Sequence, residues 1–298
     1  MPDWTAELVV DEELARRLLA DVPELELKSL RHFAEGWDYT IWLVDEKWAF
    51  RFPRREIAVH GVLREIAVLP ELAPVLPIRV PAPVFVGEPN NEFPWPFFGS
   101  PLLPGRELGD AELEDEARIA VGLRLARFLR ALHDADVAYD LPTDANRRAD
   151  MSVRVPKTRE QLAQVEGAGI WRRPRSVDAF LAEAEVLPPP AGSAVVHGDL
   201  HFRQVLVGED GSLTGVIDWV DVCRSDPAID LSMLWSYLPA AGREPFLSEY
   251  GSVSDEQLLR ARVLALSLSA ALALYARHEG FPTVEQEAVL GLSRAAAA

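Results

Sequence analysis

The stretch Val196-His197-Gly198-Asp199-Leu200-His201-Phe202-Arg203-Gln204-Val205-Leu206-Val207, followed by Val216-Ile217-Asp218-Trp219, constrains this chain more than any other segment. Apolar runs at 194–197, 205–207 and 213–217 read as three short strands. Asp199 falls in a tight turn after the first, with the carbonyl-bearing side chain of Gln204 five residues later. Asp218 falls at the end of the third. Such a segment suits a fold that fixes two carboxylates at the ends of a small β element. Phosphoryl transfer needs two such acids, one to hold and deprotonate the attacking hydroxyl and one to hold Mg²⁺ on the nucleotide phosphates. Because that catalysis is mostly positioning and charge neutralisation, rigid strand ends are where the acids belong.

The rest of the chain divides by its periodicity. Leu14, Leu18 and Leu19 predict a helix over 11–20. From 25 to 52 the pattern becomes short alternating apolar runs, and 39–44 and 48–52 flank Asp45-Glu46-Lys47 as a hairpin with a three-residue turn. A helix over 56–72 and a proline-punctuated strand region over 80–86 follow. Pro94 and Pro96 argue against a central strand over 93–99, and Leu102-Leu103-Pro104-Gly105 marks a boundary. Beyond it the chain is mainly helical. An amphipathic helix is expected over 117–133, a short one over 177–185 within a polar, partly basic and poorly periodic region at 140–190, and another over 256–277. The alanines at 295–298 are expected to fray.

Length and charge narrow the class. The 298 residues, about half of them apolar, can build two modest cores. Cys223 is the only cysteine, which excludes a disulfide framework and reads as a small core residue. A formal net charge of −17 argues against a nucleic-acid partner; it serves solubility or a cleft that attracts cations. Residues 1–10 lack a signal pattern, and no apolar run approaches the ~20 residues of a membrane span. The expectation is a soluble cytoplasmic protein without a membrane partner.

The loop resembles the His-Gly-Asp-Leu-His-x-x-Asn loop of the aminoglycoside and macrolide phosphotransferase family, that family's version of the kinase His-Arg-Asp loop. Ile217-Asp218-Trp219 stands where kinases have Asp-Phe-Gly. The resemblance implies an α+β, two-lobe, protein-kinase-like fold, with a β-rich N-terminal lobe over 1–104 and a mainly helical C-terminal lobe over 105–298. It implies ATP or GTP bound with Mg²⁺ between the lobes, and transfer of the γ-phosphate to a hydroxyl of a small molecule. By family analogy that molecule is a macrolide or an aminoglycoside. A metabolic kinase of an amino alcohol or sugar, and a nucleotide-binding pseudokinase scaffold, are the alternatives. Asp199 is then similar to the catalytic base and Asp218 to the principal metal ligand. Gln204 replaces the usual second ligand, Asn, by the same amide oxygen on a longer stem.

The N-terminal half carries the same resemblance. Trp48-Ala49-Phe50-Arg51 takes the place of the kinase Val-Ala-Ile-Lys strand. Alternation puts Ala49 and Arg51 on one face, as a small residue beside the adenine and a cation on the phosphates require. Glu65 on the next helix is expected to steady Arg51, and Gly36 to lie in the substitute for a glycine-rich nucleotide loop. Backbone groups of Phe98, Gly99 and Ser100 are expected to read the purine edge at an interlobe hinge. In Asp226-Pro227-Ala228-Ile229-Asp230-Leu231, Asp230 is expected to open a helix and hydrogen-bond the catalytic loop. His197 supports that loop, and Asp221 assists the metal or substrate or faces solvent. Trp171, Phe180, Trp235, Tyr237, Leu268 and Tyr275 favour a bulky, partly apolar acceptor, which the overall charge would favour as a cation.

Overall fold

A computed structural model describes residues 5–297. Met1 to Trp4 and Ala298, parts of the two terminal stretches read above, lie outside the described residues. Helix α1 (Glu12–Ala20) is capped by the Asp11 carboxylate, which accepts from Leu14 N at 2.9 Å. Strands β1 (Leu30–Glu35), β2 (Tyr39–Val44) and β3 (Trp48–Pro53) form an antiparallel meander. The β2–β3 turn is tight because Asp45 and Glu46 both take positive φ, 53° and 49°. The Asp45 carboxylate is held by Lys28 N and Ser29 N at 3.0 and 2.7 Å. Helix α2 (Glu56–Leu72) crosses behind, and β4 (Phe85–Gly87) and β5 (Phe97–Pro101) complete a five-stranded sheet of order β1-β2-β3-β5-β4.

Two expectations fail in this sheet. Of the 80–86 region only Phe85 and Val86 are strand, opening Phe85–Gly87, because Pro81 and Pro83 remove backbone donors from the rest. The Pro-rich 93–101 region does supply an interior strand, β5, paired with β3 on one side and β4 on the other. Pro94 and Pro96 precede the strand and Pro101 ends it, so no ladder donor is lost inside it.

The remaining chain is the helical part, with β6 (Arg106–Glu107), α3 (Asp115–His133), α4 (Met151–Gly167), α5 (Arg175–Glu185), β7 (Ala194–Val196), β8 (Val205–Val207), β9 (Leu213–Val216), β10 (Cys223–Ser225), α6 (Met233–Ser236), α7 (Ala240–Tyr250), α8 (Asp255–Glu279) and α9 (Pro282–Ala296). β6, β8 and β9 form one small sheet and β7 and β10 another. Helix α4 lies where periodicity gave none. Arg154, Lys157, Arg159 and an internal Pro156 blur its apolar stripe of Met151, Val155, Thr158, Leu162 and Val165. The final alanines do not fray through Ala296: Ala295 and Ala296 are buried in α9.

The core separates in a similar way. Val10, Leu18, Leu19, Trp42, Phe50, Phe52, Phe93 and Phe97 pack between α1 and one face of the large sheet. A larger cluster fills the helical part and takes in Val68, Leu69 and Leu72 of α2 with Ile78 and Val80, so the α2 end and the following loop are rooted in it. α8 runs through its middle. It is the one helix among the described residues long and apolar enough to cross a membrane by length and composition, which the sequence reading passed over. Here it is a core helix, carrying Arg260 buried with Nη1 on Ala149 O at 2.9 Å.

Candidate active site

The loop between β7 and β8 is tied down by Asp230, a fully buried carboxylate. Its Oδ2 accepts from His197 N at 2.8 Å and contacts His133 Nε2 at 3.1 Å; its Oδ1 accepts from Gly198 N at 3.1 Å. Burial works to raise its pKa, but the hydrogen bond and charge of His133, with His197, hold it below the ordinary value. The expected bond from Asp230 to the loop is present. Asp230 does not open the helix, however. It sits in the first turn of the 3-10 helix Pro227–Ser232, whose N-cap is Asp226.

Gly198 makes the turn possible. Its φ is +91°, and a Cβ there would stand 2.4 Å from Asp221 O. His197 is buried on Trp219, its Nε2 donating to Ile217 O at 3.0 Å and its Nδ1 accepting from Asp199 N at 3.4 Å. One imidazole thus joins the loop that bears Asp199 to the strand end that bears Asp218. The Asp199 carboxylate opens onto a cavity and lies 3.8 Å from His201 Nε2. Burial, with the nearby Asp221 charge, pushes its pKa up to about 7. His201 is buried and its pKa pushed down to about 3 by that burial and by Arg203, so its imidazole is neutral.

Asp218 follows β9 with a φ of +66°, the left-handed region in which a non-glycine residue is uncommon. Burial raises its pKa against the opposing influence of His197, Gln204 and Arg51. Gln204 Nε2 donates to Asp218 Oδ2 at 3.4 Å, while Gln204 Oε1 is buried with no hydrogen-bond partner among the described residues. A buried acceptor without a donor costs about 1–3 kcal/mol. An oxygen-liganded cation beside Asp218 would satisfy it. Mg²⁺ fits that demand, since it takes one or two protein oxygens and completes its shell with water and phosphate.

The N-terminal side faces this pair. Arg51 is buried on β3, over the Phe98 ring at 5.4 Å, with Nη1 donating to Ser100 Oγ at 3.0 Å. Ala49 lies two residues away on the same strand face, across from Ser100. The Glu65 carboxylate is fully buried, and its hydrogen bonds come from Tyr39 OH at 2.6 Å and Trp219 N at 3.3 Å. Burial pushes its pKa up to about 7; the Arg51 charge pulls the other way. Glu65 therefore acts on Arg51 through space and bonds instead to the residue after Asp218, which links α2 to the acid loop. Gly36 is exposed in the β1–β2 turn, its N–H on Tyr39 O at 2.9 Å.

The purine-edge expectation moves. Phe98 and Gly99 are paired within β5 on both sides and Ser100 is paired with Ala49, so the sheet already uses their backbone groups. Leu102 N still bonds Lys47 O at 2.8 Å. Leu103 is the first residue after the strand whose backbone groups have no protein partner among the described residues.

The cavity on the other side of Asp199 measures about 470 Å³ and is lined from Trp37, the start of α4, the acid loop and α8. Its charged lining is Arg148, Arg154, Lys157 and Asp199. A wall that selects cations, one consequence drawn from the overall charge, is not what stands there. Arg148 is ion-paired with Asp144 and Asp221 at 2.9 and 2.8 Å, which accounts for Asp221 without a metal or substrate. The aromatic expectation also shrinks. Leu268 lines the cavity and Tyr275 meets Trp37 edge-on at 6.0 Å, whereas Phe180 and Tyr237 are buried and Trp171 and Trp235 pack on the core. The partly basic 140–190 region was not assigned to the cavity, because Arg154 and Lys157 sit on α4, which periodicity did not show, and Arg148 sits just before it. The cluster Arg147-Arg148, Arg154, Lys157, Arg159 in so acidic a chain was its one visible signal.

The model of the APH family, "Phosphotransferase enzyme family", matches residues 29–264. Among curated proteins, an uncharacterized protein YcbJ of Bacillus subtilis (strain 168) is 42% identical over 41 residues, 14% of this chain and 13% of that protein. Among solved structures, a GDP and kanamycin complex of APH(2″)-IIIa superposes with a TM-score of 0.68 at 21% identity, covering 96% of this chain and 98% of that one. The apoenzyme of macrolide 2′-phosphotransferase MphH from Brachybacterium faecium gives 0.60 at 23% identity, covering 94% and 96%. The fold is thus the kinase-like fold of the aminoglycoside phosphotransferases, sheet-rich at its N-terminal side and helical beyond.

Proposed function

Because the chain belongs to the phosphotransferase enzyme family, we propose that it moves the γ-phosphate of ATP or GTP onto a hydroxyl of a small molecule held in the cavity beside Asp199. The observation that carries this reading is the unpartnered, buried Gln204 Oε1 next to Asp218, one loop away from Asp199. No donor among the described residues reaches that oxygen, and a metal-bound polyphosphate is the ligand that makes sense of it.

The roles follow from position. Asp199 accepts the proton of the acceptor hydroxyl; a base with its pKa raised to about 7 is matched to that transfer near neutral pH. Asp218 and Gln204 would hold Mg²⁺, which when bound neutralises charge on the phosphates. Arg51, kept in place by Ser100 and Phe98, adds a fixed positive charge on the nucleotide side. Glu65 positions the Asp218 loop through Trp219 N and Tyr39. Ala49 offers the small surface for the adenine or guanine ring. The free backbone groups of Leu103 take the edge-reading role first expected of Phe98, Gly99 and Ser100, and Gly36 leaves the turn above the phosphates open. GDP and kanamycin in the APH(2″)-IIIa complex, and the macrolide named for MphH, make antibiotics one acceptor class to include in the test.

The test is transfer of γ-labelled phosphate from ATP and from GTP, with Mg²⁺, to aminoglycosides, macrolides, sugars, amino alcohols and hydroxy acids. Turnover that falls by a factor of about 10² or more in Asp199→Asn, with nucleotide still bound, is the expected result. Turnover near the parent rate in that variant removes Asp199 from the base role. Nucleotide binding without transfer to any acceptor favours the pseudokinase scaffold.

A further inference from the structure

Arg154 and Lys157 stand three residues apart on α4, so both project to the same side of the helix, and both line the cavity that Asp199 faces. Arg148 lies beside them but is committed to Asp144 and Asp221. Arg154 is not committed: Nε donates to Arg148 O at 3.3 Å, and its two terminal nitrogens have no acceptor among the described residues. Lys157 likewise has no ion pair among the described residues. Burial and the Arg148 charge hold the Arg154 pKa below its ordinary value, outweighing the opposing charges of Asp144 and Asp199.

That arrangement runs against the rest of the molecule. With 47 acidic and 30 basic side chains, this chain has carboxylates to spare, yet among the described residues none forms an ion pair with either cation, and Asp144 and Asp199 act on Arg154 only through space. Arg154 is half-buried, and such a charge without an ion-pair partner is costly unless a ligand brings one; Lys157 is exposed at the rim of the same cavity. Leu200, Ile229 and Leu264 form apolar wall beside them, which strengthens any ion pair made in the cavity. The nucleotide does not account for the pair, because neither Arg51 nor Asp218 lines this cavity.

We propose that the acceptor is an anion, a small hydroxyl compound whose carboxylate or phosphate is seated by Arg154 and Lys157 while its hydroxyl meets Asp199. This rests on the phosphotransfer reading and names the acceptor class for it. A polyammonium acceptor meets two unpaired cations here and gains only Asp199 in return, an arrangement that selects by repulsion as well as attraction.

The test fills the nucleotide site with a non-hydrolysable ATP or GTP analogue and Mg²⁺. Thermal shift is then read at matched ionic strength against inorganic sulfate, gluconate, glucose and kanamycin. Sulfate and gluconate stabilise the parent and glucose and kanamycin do not. In Arg154→Met/Lys157→Met the apparent Kd for gluconate rises roughly tenfold or more, while Arg154→Lys, which keeps the charge and guards against misfolding of the double variant, stays within about threefold. Tighter binding of kanamycin than of gluconate, or the same response in parent and double variant, overturns the proposal. Label transfer lost in Asp199→Asn tests the underlying reading apart. Anion binding without transfer to any acceptor refutes that reading, and with it the acceptor role, while leaving an anion site.

Discussion

Asp230→Asn is the substitution that most directly tests how the acid loop is held. The carboxylate takes three contacts in a space with no water-accessible surface: His197 N at 2.8 Å and His133 Nε2 at 3.1 Å on one oxygen, and Gly198 N at 3.1 Å on the other. An asparagine can keep its carbonyl oxygen toward His197 and His133, but its NH₂ then faces Gly198 N, donor against donor. One hydrogen bond to a charged group is lost, worth about 1.5–3 kcal/mol, and a buried N–H is left unsatisfied. At about 2–4 °C per kcal/mol for a chain of this order, the midpoint should fall by roughly 3–12 °C. The sign with pH follows from the folded pKa lying below the unfolded one, which is about 3.9. The stability that Asp230 supplies is complete above about pH 4 and is lost as pH falls through the folded pKa. The gap between parent and variant, measured by urea or thermal unfolding, is therefore wide at neutral pH and closes in acid. Because the slackened bond is to the residue before Asp199, kcat should fall more than nucleotide affinity. A variant within about 0.5 kcal/mol of the parent at pH 7, or a gap that stays constant to pH 3, refutes the account.

Four further outcomes are expected. Gly198→Ala places a Cβ 2.4 Å from Asp221 O at a φ of +91°, so it should displace Asp199 and cost kcat well beyond its effect on stability, read by comparing kinetics with unfolding midpoints. The pH profile of kcat/KM should rise through about pH 7 as Asp199 deprotonates; a profile flat from mildly acid to mildly alkaline pH argues against it as base. Gln204→Met removes a buried acceptor that has no donor among the described residues together with the long Nε2 bond to Asp218, two opposing effects, so the metal-free protein should stay within about 1 kcal/mol of the parent while Mg²⁺-dependent nucleotide binding weakens; a larger loss of stability together with binding would point to a packing role. Glu287→Ala strips the partner from buried Arg118, paired with it at 2.7 Å between α3 and α9, and should cost about 3–5 kcal/mol in chemical denaturation.

The elements carrying the two acids were legible in the sequence because each is short, apolar and bounded by turn chemistry: β8 was read to the residue, and β7 and β9 to within one. The helix over 56–72 and the long apolar core of α8 were equally plain, since one period dominates each. Local pattern also set the faces of β3, with Phe50 and Phe52 buried in the α1-side core and Arg51 turned the other way. α4 was hidden because its basic residues and Pro156 weaken the period, and its packing against α5 and α8 is what makes it a helix. β5 was hidden because proline was counted against the whole segment, when only its position relative to the ladder matters.

What the sequence by itself determined is the pair of acids, Asp199 and Asp218, and the short strands that carry them, because residue type and spacing over a few positions are local properties. Tertiary structure decided the partners and the charge of the cavity. Glu65 bonds Tyr39 and Trp219 N and not Arg51, Asp221 is spent on Arg148, and Arg154 and Lys157, without an ion pair among the described residues, line the cavity that Asp199 faces. Each is a matter of which distant segments meet, and net charge or spacing along the chain carries no record of where a side chain's nearest opposite charge will lie.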